Sequence, residues 1–259
     1  MPIDYDRARE IVDRFRGLDP YQAYYVKDEV HVEWIGPLVP DACDVLRRAF
    51  AHSKEVLDVG CGDGRTLLEN AELFGHGVGI DESADHMIAN AIRARDVKGI
   101  RNVDFRAAKA VELPFAVDTF DMVFSERGPL GHSDHTLKEA LRVLQPGGLI
   151  FVETGGDYNT LGIEKRRFES HGVRIQTLLA RSYTQVFKDF YEFLKLRCSA
   201  LVYMGEELPR PGDRERLDSM LSEATDQNGR IVSEHAMIWV AGTKEAEPSH
   251  PTDAAEPGG

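Results

Sequence analysis

The sequence predicts an α/β fold organised around a parallel sheet. Three observations predict it. Short apolar runs alternate with helix-period segments through the middle of the chain. One of those runs passes directly into a glycine-rich turn, and an acid ends the next run. The chain has 259 residues, 42% of them hydrophobic, which is enough to bury a sizeable core.

Residues 1–50 precede the alternation. Ala8, Ile11, Val12 and Phe15 fall on one face of a short helix, and an aromatic stretch follows with Tyr21, Tyr24, Tyr25 and Trp34. This segment reads as a helical, aromatic cap. The core spans residues 51–180, with β-like runs at Glu55–Val59, Gly77–Asp81, Val103–Arg106, Phe120–Ser125 and Leu149–Glu153. Leu137, Leu141 and Leu144 recur at i, i+4, i+7, and Gln145-Pro146-Gly147-Gly148 stops that helix.

Val173–Leu179 reads as a sixth strand and His235–Ala241 as a seventh, within a final segment at 230–242. Between them, residues 181–229 hold a helix striped by Phe187, Phe190, Tyr191 and Leu194, a Pro-rich break, and a second helix near Arg214–Asp226. Six aromatics, Tyr183, Phe187, Phe190, Tyr191, Phe193 and Tyr203, concentrate there, and the segment reads as a lid over an apolar pocket. Residues 243–259 contain three Pro, two terminal Gly and one Lys against four acids, the composition of a disordered tail.

The formal net charge is −13, which disfavours broad affinity for nucleic acid or anionic lipid. Arg93, Arg95, Lys98, Arg101 and Arg106 lie mostly on or after a helix and read as a solvated face. No stretch approaches the roughly 18 apolar residues of a membrane span, and the N-terminus lacks an apolar signal segment. Cys43, Cys61 and Cys198 are odd in number and show no metal-ligand spacing, so reduced thiols in a cytoplasmic protein without a metal are expected. The sequence leaves the oligomeric state open.

The strongest signal is Glu55-Val56-Leu57-Asp58-Val59-Gly60-Cys61-Gly62-Asp63-Gly64. Glycine permits a tight turn and lets a ligand approach the backbone without meeting a Cβ. Gly79-Ile80-Asp81 follows, and an acid ending the second strand is placed to accept hydrogen bonds from ribose hydroxyls. Together they specify an adenosine-type ligand at the carboxyl edge of the sheet. The loop is one residue tighter than the dinucleotide pattern G-x-G-x-x-G, and Asp58 and Asp63 suit a cation better than a pyrophosphate. That favours S-adenosylmethionine, which carries an ammonium and a sulfonium, over NAD.

These segments resemble the class I S-adenosylmethionine-dependent methyltransferases, in particular the group typified by ubiquinone/menaquinone-pathway and many small-molecule methyltransferases. The matching pieces are VLDVGCGDG at 56–64, VGIDES at 78–83, ELPF and FDMVFS within 112–125, and LKEALRVLQPGG at 137–148. The resemblance implies a Rossmann-like, doubly wound sheet of seven strands with the last antiparallel, carrying an N-terminal helical segment and a helical lid insertion. It implies that Gly60, Cys61 and Gly62 pass under the methionine part of S-adenosylmethionine, with Asp58 near its amine. Asp81 should hold the ribose with Glu82 beside it, Met87 should pack on the adenine, and the Ala110 backbone should meet an adenine ring nitrogen. Ser125 and Glu126 should line the side near the transferred methyl. Lys109 departs from the pattern, because the family has there an acid that accepts from the adenine amino group and a Lys only donates. Either the backbone substitutes, or Glu112 reaches over, or cofactor affinity falls.

Candidates for chemistry follow the fourth strand. His132 and His135 lie around a helix start capped by Ser133 or Asp134, where the helix dipole favours a neutral imidazole suited to a general base. Glu126 and Arg127 are read either as a base beside a carboxylate-binding cation or as a surface ion pair. The acceptor is expected to be a small or medium, partly apolar metabolite methylated on O, N or C. The alternatives are an RNA or protein acceptor, and a cofactor-binding scaffold without turnover.

Overall fold

A computed structural model describes residues 2–25, 30–35, 40–156 and 158–246. The chain opens with α1 (Tyr5–Phe15), α2 (Pro20–Tyr25) and β1 (Val32–Ile35). The alternation follows: α3 (Pro40–Phe50), β2 (Glu55–Val59), α4 (Arg65–Glu69), β3 (His76–Asp81), α5 (Ala89–Lys98), β4 (Val103–Ala107), β5 (Phe120–Glu126), α6 (Asp134–Val143), β6 (Leu144–Gly155) and α7 (Leu161–Ser170). The chain closes with β7 (Val173–Phe187), α8 (Phe190–Tyr203), α9 (Arg214–Ala224) and β8 (Ile231–Lys244). It divides into a core unit, Pro40–Ala180 with Met237–Gly259, and a helical unit, Met1–Val39 with Arg181–Ala236.

The strand order is β1-β7-β8-β6-β5-β2-β3-β4. β2, β3, β4, β5 and β6 pair in parallel, and β8 runs antiparallel to β6. After β4 the chain returns to the other side of β2, so the order reverses between β2 and β5. Ligands of doubly wound sheets bind outside the carboxyl ends of the strands at such a reversal. Among the described residues the sheet has eight strands rather than the seven expected. The extra one is β1, four residues long, which pairs antiparallel with the last residues of β7 from Val32↔Phe187 to Ile35↔Thr184. Four residues are too few to display a period-2 pattern, whereas the fifteen-residue β7 leaves an edge that a short strand can cover.

Burial on both faces explains the apolar runs. Leu57, Val59, Val123, Ile150, Val152, Ile238 and Val240 pack on one side with Leu137 and Leu141 of α6 and Phe168 of α7. On the other, Phe50 meets Phe124 and Phe74 edge-on, with centroids 5.2 and 5.4 Å apart. Helix α6 stops at Val143, one residue before the end of its leucine stripe. Leu144 instead opens β6 opposite Phe120, and the Pro-Gly-Gly run lies inside that strand at a register irregularity. Ser133, not Asp134, caps α6 by accepting from the His135 amide at 3.2 Å.

In the helical unit, Ala8, Val12 and Phe15 of α1 are buried with Phe190, Tyr191, Leu194 and Cys198 of α8 and Leu217 and Met220 of α9. The stripe read as a pocket roof is thus largely an internal helical core. Phe187 belongs to the end of β7. Asp189 caps α8 by accepting from the amides of Tyr191 and Glu192, so the helix starts at Phe190. The side chains of Tyr21, Tyr25 and Trp34 lie outside the described residues. β8 runs on through Thr243 and Lys244, which composition had assigned to the tail; the Lys244 ammonium donates to Leu144 O and Asp118 Oδ1. Residues 247–259 lie outside the described residues. No helix of the described residues is long and apolar enough to cross a membrane.

Candidate active site

β2 delivers Gly60 to the carboxyl edge beside the strand-order reversal. The amides of Gly60 and Cys61 both donate to Ile80 O, at 2.8 and 2.9 Å, so the loop folds back onto β3. Gly60 has φ +82°, and a Cβ there would lie 2.6 Å from Pro129 Cδ. Gly62 has φ +54°, but a Cβ there would meet nothing within 4 Å. Gly60 is therefore needed for packing, while Gly62 borders open space. The Gly62 amide donates to Asp81 Oδ2 at 3.1 Å, and the Ser83 amide donates to Asp81 Oδ1 at 2.9 Å. Each carboxylate oxygen retains a lone pair for a ligand hydroxyl.

The site's electrostatics are set by acids on one face of the sheet. Asp58 pairs in register with Phe124, two residues before Glu126. Glu126 pairs with Glu153, and Glu153 with Trp239. Side chains two apart on a strand share a face, and in-register partners share it too. Asp58 is 3% exposed, and no described residue donates a hydrogen bond to its carboxylate. Burial, then the charges of Glu126 and Asp81, push its carboxyl well above the usual range. Glu126 accepts from the Thr66 hydroxyl at 2.5 Å. Glu153 is also raised by burial and by Glu126, against the opposing pull of Arg127 and of the Trp239 indole N–H, which donates to it at 2.8 Å.

The structure therefore brings together Asp58, the Gly60–Gly64 loop, Asp81 and Glu126. Other expected residues behave differently. Ser125 is fully buried and its hydroxyl donates to Val59 O at 2.7 Å, so it ties β5 to β2 instead of presenting a polar group to a ligand. Met87 is 3% exposed in a π-helical turn, Ala84–Ile88, which leaves little of its surface for an adenine. Burial and the charges of Asp58 and Asp81 raise the Cys61 thiol well above its ordinary value, which keeps it protonated. Glu82 and Lys109 are exposed, and Ala110 packs partly buried against the apolar core.

His132 and His135 are exposed, and no hydrogen bond or ion pair among the described residues joins either to Asp58, Asp81 or Glu126. Asp134 is held by Arg167 at 2.8 Å, and no group of three His, Cys, Asp or Glu among the described residues could hold a metal. Arg127, with φ 54°, pairs with Glu153 at 3.5 Å and not with Glu126. Glu153, Trp239 and Thr66 escaped the sequence reading. Glu153 closes an apolar run as Asp81 does, and that shared position was the available signal.

The description of a methyltransferase domain fits residues 51–192. The chain is 31% identical over 142 residues to the demethylmenaquinone methyltransferase of Lactococcus lactis, covering 52% of this chain and 55% of that one. It is 27% identical over 212 residues to the enzyme of the same name from Halalkalibacterium halodurans, covering 78% and 81%. The chain spans 55–61% of the length of the Lactococcus enzyme and two further curated relatives. The solved YcgJ protein of Bacillus subtilis shares the fold, with TM-score 0.60 and 20% identity over 80% of this chain and 99% of that one. With the domain matched over more than half its length, the chain belongs to the methyltransferase-domain family, the class I S-adenosylmethionine-dependent enzymes, whose cofactor is S-adenosylmethionine.

Proposed function

We propose that this chain transfers the methyl group of S-adenosylmethionine to an O, N or C atom of a small or medium, partly apolar acceptor in the cytoplasm. Asp58 carries the reading. A buried carboxylate with acidic neighbours and no internal donor is unfavourable alone and favourable beside a cation. The cofactor's ammonium supplies that cation, whereas a dinucleotide pyrophosphate would add negative charge. The Gly62 backbone, bordering open space, accommodates the methionine part, and Asp81 takes the ribose hydroxyls.

When bound, the cofactor supplies a methyl group already activated on a sulfonium. The protein's task is then mainly alignment and exclusion of water. Glu126, held by the Thr66 hydroxyl, is the residue best placed to orient an acceptor or take its proton. A macromolecular acceptor needs a free basic surface, yet Arg95 is paired with Asp96 and Asp104. The test is calorimetric titration with S-adenosylhomocysteine, with NAD as comparison. We expect micromolar S-adenosylhomocysteine binding, weak NAD binding, and loss of affinity in Asp58→Asn. Equal binding of both ligands defeats the cation argument. Binding of S-adenosylmethionine without consumption across an acceptor panel favours the scaffold reading.

A further inference from the structure

Among the described residues, Asp118 and Arg127 are the two non-glycines with positive φ, both at 54°. Asp tolerates that region because its short side chain bonds locally, whereas for a long side chain the conformation costs about 1–2 kcal/mol. Such strain persists where the surroundings fix it, and it concentrates at functional sites. Here the Arg127 amide donates to Glu153 O at 2.9 Å, which fixes the residue at the carboxyl ends of β5 and β6.

The same turn is pressed against the glycine loop of the core unit. A Cβ at Gly128 would lie 2.7 Å from Val59 O, and one at Gly60 would lie 3.3 Å from Gly128 Cα. Arg127 therefore stands between Glu126 and a residue that touches the loop proposed to carry the methionine part of the cofactor. Its guanidinium is not spent on the protein. The side chain is 66% exposed, and its one ion-pair partner among the described residues is Glu153 Oε1, 3.5 Å from Nε. That separation is longer than a good hydrogen bond, and Glu153 already accepts the Trp239 indole N–H at 2.8 Å. No described residue accepts a hydrogen bond from the two terminal nitrogens, the fork that grips a carboxylate.

We propose that Arg127 grips a carboxylate of the methyl acceptor, and that the acceptors are small, partly apolar carboxylic acids. This deepens the proposed function and rests on it. A carboxylate is planar and singly charged, so it meets the guanidinium with two parallel hydrogen bonds. A dianionic phosphate would meet more repulsion from Glu126 and Glu153. Gripping the acceptor away from its reacting atom serves the alignment on which methyl transfer depends.

The probe is benzoate, with benzamide as its neutral counterpart, titrated by calorimetry into the full chain saturated with S-adenosylhomocysteine. Benzoate should bind saturably and at least tenfold more tightly than benzamide. In Arg127→Gln, benzoate affinity should fall at least tenfold, with S-adenosylhomocysteine affinity unchanged. Arg127→Gly suits the left-handed backbone and removes the same guanidinium, so it should lose benzoate equally and decides the matter even if Arg127→Gln fails to fold. Absence of saturable benzoate binding, equal affinity for benzoate and benzamide, or benzoate affinity retained in either variant overturns the proposal. Failure of wild-type protein to bind S-adenosylhomocysteine would sink the cofactor reading separately.

Discussion

Asp81 Oδ2 accepts the Gly62 amide at 3.1 Å, so the acid expected to hold a ligand also holds the loop that would carry it. Asp81→Ala should therefore act twice. Losing hydrogen bonds to a charged group costs about 1.5–3 kcal/mol each. S-adenosylhomocysteine affinity should fall at least tenfold and the melting temperature should drop. Calorimetry and thermal denaturation on the same sample check both.

Asp58 gives a pH signature. Its carboxyl is raised in the folded state, so its neutral form contributes stability that is full below the unfolded value of 3.8 and is lost as pH rises through the raised folded value. Asp58→Asn removes that loss. At pH 7 the ligand-free variant should melt a few degrees higher, the change made by about 1–2 kcal/mol in a domain of this size. The gap should close as pH falls towards 4. S-adenosylhomocysteine affinity should be weaker in the variant and should no longer rise with pH.

Two glycines of one loop should fail differently. Gly60→Ala places a Cβ against Pro129 at positive φ and should lower stability by about 2–4 kcal/mol. Gly62→Ala meets no protein atom and should cost only about 1–2 kcal/mol from its left-handed backbone. The second variant should remain folded and still lose ligand affinity. Denaturant melts paired with titration separate the two outcomes.

Arg167 donates to Leu130 O and Ser133 O at 2.8 Å and pairs with Asp134 and Glu164. It pins the segment carrying His132. Arg167→Met should leave those carbonyls unmatched and cost about 2–4 kcal/mol. Ligand affinity should stay within about twofold, because the site's acids share no partner with Arg167. Urea unfolding and titration read the two effects.

The parallel core was legible because its strands are buried on both faces and therefore appear as unbroken apolar runs, as at Val56–Val59. The glycine loop was legible because its positive-φ turns favour glycine, and Asp81 because an acid closing a strand stands out against the apolar run before it. β1 was not, being short and defined only by its partner. Ser125 misled because a hydroxyl at a strand end reads the same whether it faces a ligand or a neighbouring carbonyl. Glu153 was missed because its weight comes from cross-strand neighbours, Glu126 and Trp239, which lie far apart in the sequence.

Ile80 O accepts both leading amides of the glycine loop. A phosphate receptor works by leaving such N–H groups pointing outward, ready for an oxyanion. Here two of them are already committed inward, and the carboxylates of Asp58 and Asp81 stand at the same edge. ATP and related nucleotides, which share the adenosine half of the cofactor, would find their phosphates unmet at this loop. The internal hydrogen bonds therefore weigh against nucleotide phosphates at this turn, whichever adenosine compounds the surroundings offer.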